Sequence, residues 1–364
     1  EQVFKLVLGL IFAKIFLKWG VGFGVFGALL GVSISEFVSL IYLFLLFNKE
    51  VKFKFKKLIK NNVLMQDYKI FFKNLLPIAL NSVLIPLITA VDSFLIVNLL
   101  MASGNSNVEA TKMFGIYSGM INSVINFPTI FALSLSVAIL PTLAYDYEKN
   151  KDLSKISTSF KTIFFVCAPC FLIFTLFAPN IISLLYSTSL SSSDFVLAKI
   201  LLILSAGNII FLSFLQFSTS VLQAINKSYI SLVNLLLAAV LKVGLTIYLT
   251  SSSLGIFGAC IASVLCYLFA CFLNLNYLTA LCSFKQNKNS YLKILFFSVF
   301  AVAMMFGLNA AIAKFMNNNL SFIISGVVSA ILYLLLTLKF NVFSNNELEK
   351  VYLLKKSSKK VNNV

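Results

Sequence analysis

The stretches "GVFGALLG", residues 24–31, and "GIFGACIA", residues 255–262, decide how this chain is organised. The first five residues of each copy match in pattern, Gly-Val-Phe-Gly-Ala against Gly-Ile-Phe-Gly-Ala. Small residues three positions apart let two helices approach closely inside a membrane. Each copy follows a short turn and opens a long apolar run, so we interpret the two stretches as equivalent points of an internal repeat.

The composition indicates an integral membrane protein that is surrounded by lipid. Hydrophobic residues make up 60% of the 364 residues and charged residues 11%, and the mean hydropathy is +0.97, whereas a soluble domain has roughly a quarter of its residues charged. All 29 basic residues are lysine, and the sequence has no arginine and no histidine. The commonest general acid–base group and metal ligand is therefore missing.

Ten apolar stretches are long enough to cross a bilayer, which takes roughly 20 residues. Lysines are concentrated in alternate connections, and the other connections are polar but poor in lysine. The positive-inside rule then predicts an all-α polytopic protein with ten spans and both ends of this chain on the cytoplasmic side. This orientation signal accounts for the net charge of +17 better than nucleic-acid binding does, and we expect no nucleic-acid partner. We name the stretches A (3–19), B (22–47), C (76–101), D (113–144), E (160–186), F (195–223), G (229–250), H (254–281), I (291–313) and J (320–339).

The repeat predicts the order of the parts along the chain. If pair A–B is equivalent to pair G–H, then C to H form one unit of six helices, and A–B are the last two helices of a preceding unit whose first four are absent. Duplicated halves are common in secondary transporters. We therefore predict the end of an N-terminal lobe (1–47), a basic cytoplasmic linker (48–75), a complete C-terminal lobe (76–281), two extra helices (282–339) and a basic cytoplasmic tail (340–364).

Four stretches resemble one branch of a known superfamily. The segments "LLPIALNSVLIPLITAVDSFLI" (75–96), "FGIYSGMINSVINFPTIFALSLSVAILPTLA" (114–144), "STSVLQAINKS" (218–228) and "VLKVGLTIYLTSSSLGIFGACIAS" (240–263) are similar to helices seven, eight, ten and eleven–twelve of lipid flippases. These are the stage V sporulation protein B-like and MurJ-type members of the multidrug/oligosaccharidyl-lipid/polysaccharide (MOP) exporter superfamily. The resemblance implies two six-helix lobes plus two helices, alternating access and no enzymatic activity.

Ionisable residues inside membrane spans usually face the bundle interior or a water-filled cavity. Counted from the cytoplasmic ends, Lys14 on A and Glu36 on B lie at one depth. Asp92 on C and Lys242 on G differ by roughly 5 Å in depth. Both pairs are therefore expected to meet, either to line the transport path or only to neutralise charge. The resemblance further implies a cation site formed by Asp92 with Asn234, with Na⁺ or H⁺ coupling and no other cofactor.

Uncharged polar residues add to this set of candidates. Asn81 shares a face with Asp92, and Asn122 and Asn126 lie on one face of D, just before Pro128. Gln216 begins a polar stripe on F. Such stripes form either interhelical hydrogen bonds or the wall of a cavity that bends at its prolines during transport.

The resemblance leads to a flippase that moves an undecaprenyl-linked polysaccharide or peptidoglycan precursor, similar to lipid II, across the bacterial cytoplasmic membrane. Its partners would be this lipid-linked glycan and membrane lipids, and we expect a monomer. The alternative within the same fold is a cation-coupled multidrug exporter. A membrane-embedded glycosyltransferase or ligase is disfavoured, because the external loops are short and chemically inert.

Overall fold

The structure, a computed structural model, describes residues 2–51, 64–150, 154–187, 189–281 and 288–343. Within these ranges the regular structure is entirely helical. The chain divides into two compact units, residues 1–70 and 71–364, which are described separately. The central part of the predicted linker, residues 52–63, and most of the predicted tail, residues 344–364, lie outside the described residues.

The first unit contains a helical hairpin whose register is set by glycines. Helix α1 (Gln2–Phe16) continues as a 3₁₀ turn, and α2 (Val21–Val51) follows after Gly20, whose φ of 125° suits glycine alone. A Cβ atom at Gly27 would lie 2.5 Å from the carbonyl oxygen of Phe12, and one at Gly31 would lie 2.6 Å from the backbone nitrogen of Gly9. The two backbones therefore touch at these levels, which fixes how far each helix extends past the other.

The second unit contains the rest of the described chain from residue 71 onward, so residues 64–70 at the start of α3 belong to the first unit. Helix α3 carries Pro77 and Pro86 in its interior, and a π-helical segment (Ile116–Ile121) joins α4 to α5. Helices α8 and α9 are bent by 42° at Ala206. The helices are α3 (Leu64–Ala102), α4 (Asn107–Gly115), α5 (Asn122–Asn150), α6 (Ser154–Leu176), α7 (Ala178–Tyr186), α8 (Ser192–Ser205), α9 (Gly207–Ala224), α10 (Ser228–Thr250), α11 (Ile256–Leu281), α12 (Lys288–Ile312) and α13 (Asn318–Lys339).

The all-α polytopic fold is confirmed, but the count of ten spans is one too high for the described residues. Eight helices there are long and apolar enough to cross a membrane, and the bent pair α8–α9 makes a ninth. The difference is stretch A, because α1 has 15 residues and rises by only about 22 Å at 1.5 Å per residue. A hydrocarbon core is about 30 Å thick, so α1 is short for a full span.

The second copy of the repeated glycine stretch forms a hairpin between α10 and α11. A Cβ atom at Gly258 would lie 2.5 Å from the carbonyl carbon and oxygen of Leu249, the same kind of backbone contact that Gly27 makes in the first unit. Gly255 has a φ of 52° and lies in the turn, whereas Gly24 already lies inside α2. The second glycine of the motif is thus a packing position in both copies, and the first glycine differs in role.

The core of the second unit centres on α5, α6, α8 and α9, with side chains such as Ile163, Phe160, Leu201 and Phe217 fully buried. Helices α12 and α13 pack together, and α12 contacts α6. The hydroxyl of Tyr333 on α13 donates to the carbonyl oxygen of Phe165 on α6, 2.9 Å away. The polar region described next is surrounded by residues of α3, α5, α9, α10 and α11 and of the π-helical segment.

Candidate functional site: a polar cavity with a buried ion pair

An ion pair joins the last third of α3 to the middle of α10. The Nζ atom of Lys242 lies 2.5 Å from a carboxylate oxygen of Asp92, and the side chains are 2% and 9% exposed. Farther toward the start of both helices, the amide of Asn81 donates to the carbonyl oxygen of Ser228, 3.0 Å away. The two contacts show that α3 and α10 run parallel. Residues counted from the cytoplasmic ends of the two helices can therefore be compared directly, and the structure brings Asp92 and Lys242 together as expected.

Two buried charges of opposite sign stabilise each other only when both are paired. Removing an isolated charge from water costs several kcal/mol per ion, and the attraction to a close partner offsets that cost. The ring of Tyr267 on α11 also faces Lys242, with its centroid 6.0 Å from Nζ. The structure therefore places a buried, hydrogen-bonded ion pair at the boundary of a cavity.

A cavity of about 610 Å³ lies beside the ion pair, which is within the usual range for small-molecule sites. Both members of the pair line it, and the remaining wall contains both polar and apolar side chains. Its lining residues are Ile85, Thr89, Asp92, Phe114, Tyr117, Ser118, Asn122, Ile125, Asn126, Thr129, Ile130, Leu133, Asn208, Leu212, Gln216, Lys242, Ser263 and Tyr267.

One wall of the cavity is the polar face that the sequence predicts on stretch D. Asn122 and Asn126 both line the cavity, together with Ser118 before them and Thr129 after them. Ser118 belongs to the π-helical segment, a feature often found at functional sites. Gln216 on α9 also lines the cavity, so three of the predicted amide residues lie around one space.

Four polar residues of the site were not singled out from the sequence, namely Tyr117, Asn208, Ser263 and Tyr267. The hydroxyls of Tyr117 and Ser263 lie 2.8 Å apart and connect the π-helical segment to α11. Asn208 is 3% exposed and lies two residues after the bend between α8 and α9. The Ser-Ala-Gly-Asn sequence at 205–208 was the available signal, because small residues followed by an amide inside an apolar run favour a break.

Asn81 does not line the cavity. Its side-chain nitrogen donates to the carbonyl oxygens of Pro77 and Ser228, and its oxygen accepts from the hydroxyl of Ser231. Asn81 precedes Asp92 by three turns, about 16 Å along the helix. It therefore ties α3 to α10 at a lower level of the bundle.

The predicted cation site at Asp92 and Asn234 is not assembled. Asn234 donates to the side-chain oxygen of Asn274, 2.9 Å away, and the carboxylate of Asp92 holds Lys242 instead. The physical reason is depth, because Asn234 precedes Lys242 by eight residues, or about 12 Å on α10. Among the described residues there is no group of three or more acidic or cysteine side chains that could hold a metal ion.

The predicted pairing of Lys14 with Glu36 is wrong. Glu36 lies 3.9 Å from Nζ of Lys5, and both side chains are exposed. The glycine contacts fix the register at the turn, where Lys14 is six residues and Glu36 sixteen residues from Gly20. The resulting ten-residue difference separates their levels by about 15 Å. The prediction counted residues from the cytoplasmic ends of the two helices. That count is misleading because α2, with 31 residues, is twice as long as α1, with 15.

Comparison with known proteins supports the expected relationship. No family model matches the chain. Stage V sporulation protein B of Bacillus subtilis is 28% identical over 273 residues, covering 72% of this chain and 51% of that protein. An uncharacterized membrane protein of Methanocaldococcus jannaschii is 29% identical over 251 residues, covering 66% of this chain and 55% of that protein.

A solved structure of the lipid II flippase MurJ in an inward closed conformation has the same fold. It matches with a TM-score of 0.65 and 16% identity, over 92% of this chain and 66% of that chain. This chain spans about half the length of the curated relatives it matches. The expected resemblance to stage V sporulation protein B in sequence and to MurJ in fold is thereby confirmed, and the chain is a multi-pass membrane protein.

Proposed function

We propose that this chain, related in sequence to stage V sporulation protein B and sharing the fold of a MurJ flippase, is part of a flippase for a lipid-linked glycan precursor. The substrate would be an undecaprenyl-linked polysaccharide or peptidoglycan unit similar to lipid II. It would cross the bacterial cytoplasmic membrane by alternating access, with the protein acting as a monomer.

The observation that carries the proposal is the membrane-embedded polar cavity with the Asp92–Lys242 pair at its edge. Charged side chains in membrane spans are expensive and mark substrate or ion pathways. A structural charge pair does not require a cavity next to it, whereas a transport path does. The bend between α8 and α9 and the π-helical segment both border this cavity, and such interruptions are typical of helices that form transporter sites.

Coupling to Na⁺ or H⁺ is part of the proposal. Asp92 is the acidic residue among those that line the cavity. A coupling ion would therefore compete with Lys242 for the carboxylate of Asp92. Binding of the ion would release the lysine, and this exchange would link the ion to the helices α3 and α10.

The test is flipping in proteoliposomes that contain the full gene product carrying this chain. The probe is a short-chain polyprenyl diphosphate disaccharide with a fluorescent label, and its appearance in the outer leaflet is measured with a membrane-impermeant quencher. We expect Asp92→Asn and Lys242→Met to slow flipping by about tenfold or more, equivalent to a barrier increase of ~1.4 kcal/mol. A Na⁺ or pH gradient should accelerate the wild type and not these variants.

The matched control is Asp194→Asn, which removes the carboxylate from a partly exposed ion pair with Lys112, 2.7 Å away and outside the cavity. This variant should flip the probe at the wild-type rate. Wild-type liposomes that leave the probe in the inner leaflet would refute the proposal. Export of cationic dyes by the same liposomes would then favour the multidrug exporter.

A further inference from the structure

The cavity lining carries no net charge. Lys242 is the basic residue that lines it, and the carboxylate of Asp92 lies 2.5 Å from its Nζ atom. The chain has no arginine that could supply the bidentate guanidinium fork favoured by phosphates. A phosphate entering this cavity would therefore have to break the ion pair to gain a cationic partner.

Two amide side chains at the cavity have buried oxygen atoms without a hydrogen-bond donor among the described residues. They are Oδ1 of Asn208 and Oε1 of Gln216. Asn208 is 3% exposed, so bulk water does not solvate its amide freely. Most buried polar atoms in proteins have a partner, and an acceptor without one is destabilising until a donor arrives. Both atoms thus favour a ligand that donates hydrogen bonds.

These acceptors are arranged along the length of the cavity. Asn208, Leu212 and Gln216 all line it from α9, and the first and last are separated by about 12 Å of helix. Helix α5 packs against α9 and contributes Asn122 and Asn126 to the other wall. The space therefore presents amide groups from two helices, at a spacing longer than a single sugar ring.

We propose that this cavity binds the uncharged, hydroxyl-rich saccharide part of the substrate and leaves the diphosphate outside it. The inference rests on the proposed function, because it assigns one portion of the same lipid-linked glycan to the cavity. Hydroxyl and N-acetyl groups supply the donors that Asn208 and Gln216 require. Asn122 and Asn126 provide amides that both donate and accept, which suits a sugar and not a bare anion.

The experiment compares two probes binding to the full protein in lipid nanodiscs. One is a polyprenyl diphosphate that carries an N-acetylhexosamine disaccharide, and the other is the same polyprenyl diphosphate without sugar. Asn208→Leu and Gln216→Met remove the amides at similar side-chain volume. Each should weaken binding of the sugar-bearing probe by about two- to tenfold, the range for a single net hydrogen bond, while the bare diphosphate binds as before. Gln223→Met is the matched control, because Gln223 is also on α9 but does not line the cavity.

The possible results separate this inference from the proposed function. Equal weakening for both probes, or none for either, would overturn the assignment of the saccharide. A wild type that binds the sugar-bearing probe in preference to the bare diphosphate, but does not flip it, would support the assignment and refute the flippase. A wild type that binds neither probe would overturn both. Gln216 is half-buried, so Gln216→Met provides the answer even if Asn208→Leu fails to fold.

Discussion

Removing one member of the Asp92–Lys242 pair should destabilise the protein far more than removing both. The two charged atoms lie 2.5 Å apart with side chains at most 9% exposed. At an effective dielectric constant of about 20, unit charges at this distance attract by ~7 kcal/mol. The cost of desolvating both ions offsets most of that attraction. Asp92→Asn or Lys242→Met alone leaves the other desolvated charge without a partner and should cost about 3–5 kcal/mol.

The double variant Asp92→Asn/Lys242→Met removes the attraction and the desolvation cost together, so it should unfold within about 2 kcal/mol of the wild type. The free energy of unfolding can be measured by SDS titration in mixed micelles, with far-UV circular dichroism as the signal. The double-mutant cycle should then give a coupling energy of at least about 4 kcal/mol.

The partly exposed pair Lys112–Asp194, in which the lysine side chain is 53% exposed, provides the matched comparison. Asp194→Asn should cost less than about 1 kcal/mol, because exposed ion pairs contribute little. Additive single and double effects at Asp92 and Lys242, with a coupling energy below about 1 kcal/mol, would refute the assignment of a charged, desolvated pair.

Three further predictions concern packing, register and the polar network. Gly258→Ala places a methyl group 2.5 Å from the backbone of Leu249, at an overpacking cost of about 1–3 kcal/mol, and should lower the melting temperature in detergent. A Cβ atom at Gly244 would have no atom within 4 Å, so Gly244→Ala should leave the melting temperature unchanged. Cysteines at positions 5 and 36 should be linked by a short bifunctional reagent, whereas cysteines at 14 and 36 should remain unlinked, and the reverse would contradict the hairpin register. Asn274→Leu removes bonds to Asn234, Ser218 and Thr219 and should cost about 1–3 kcal/mol in SDS titration, and an unchanged unfolding curve would show that this network does not stabilise the bundle.

The sequence predicted the helices and one of the two charge pairs for a common physical reason. Long apolar runs determine spans independently of their neighbours, and the parallel helices α3 and α10 start on the same side of the membrane. A count of residues from that side therefore places Asp92 near Lys242. The same count failed for Lys14 and Glu36, because the register of an antiparallel hairpin is fixed at its turn.

The residues that the sequence did not reveal depend on the geometry between helices. Asn208 reaches the cavity because the chain bends between α8 and α9, and Tyr117 does so from a π-helical segment. Neither irregularity follows from helical periodicity, which assumes a continuous α-helix. Asn81 and Asn234 lie on the predicted helix faces, but at different levels along the helices from Asp92 and Lys242. Their levels depend on the hydrogen-bond partner that each amide has in the folded bundle.

Helices α3 and α10 contact each other through polar groups at two levels. Asn81 donates a hydrogen bond to Ser228 near the start of α10, and Asp92 pairs with Lys242 farther along both helices. These two contacts lie about 16 Å apart along α3, so neither helix can slide or rotate against the other unless one contact breaks. Pro86 lies between the two contacts on α3. While both contacts hold, we expect α3 and α10 to move as one unit, and we expect motion at the bend near Ala206 and at the π-helical segment. Spin labels on α3 and α10 should therefore keep a constant separation as long as Asp92 holds Lys242, and should change it only when a coupling ion releases the lysine. Labels on either side of Ala206 should change their separation during transport.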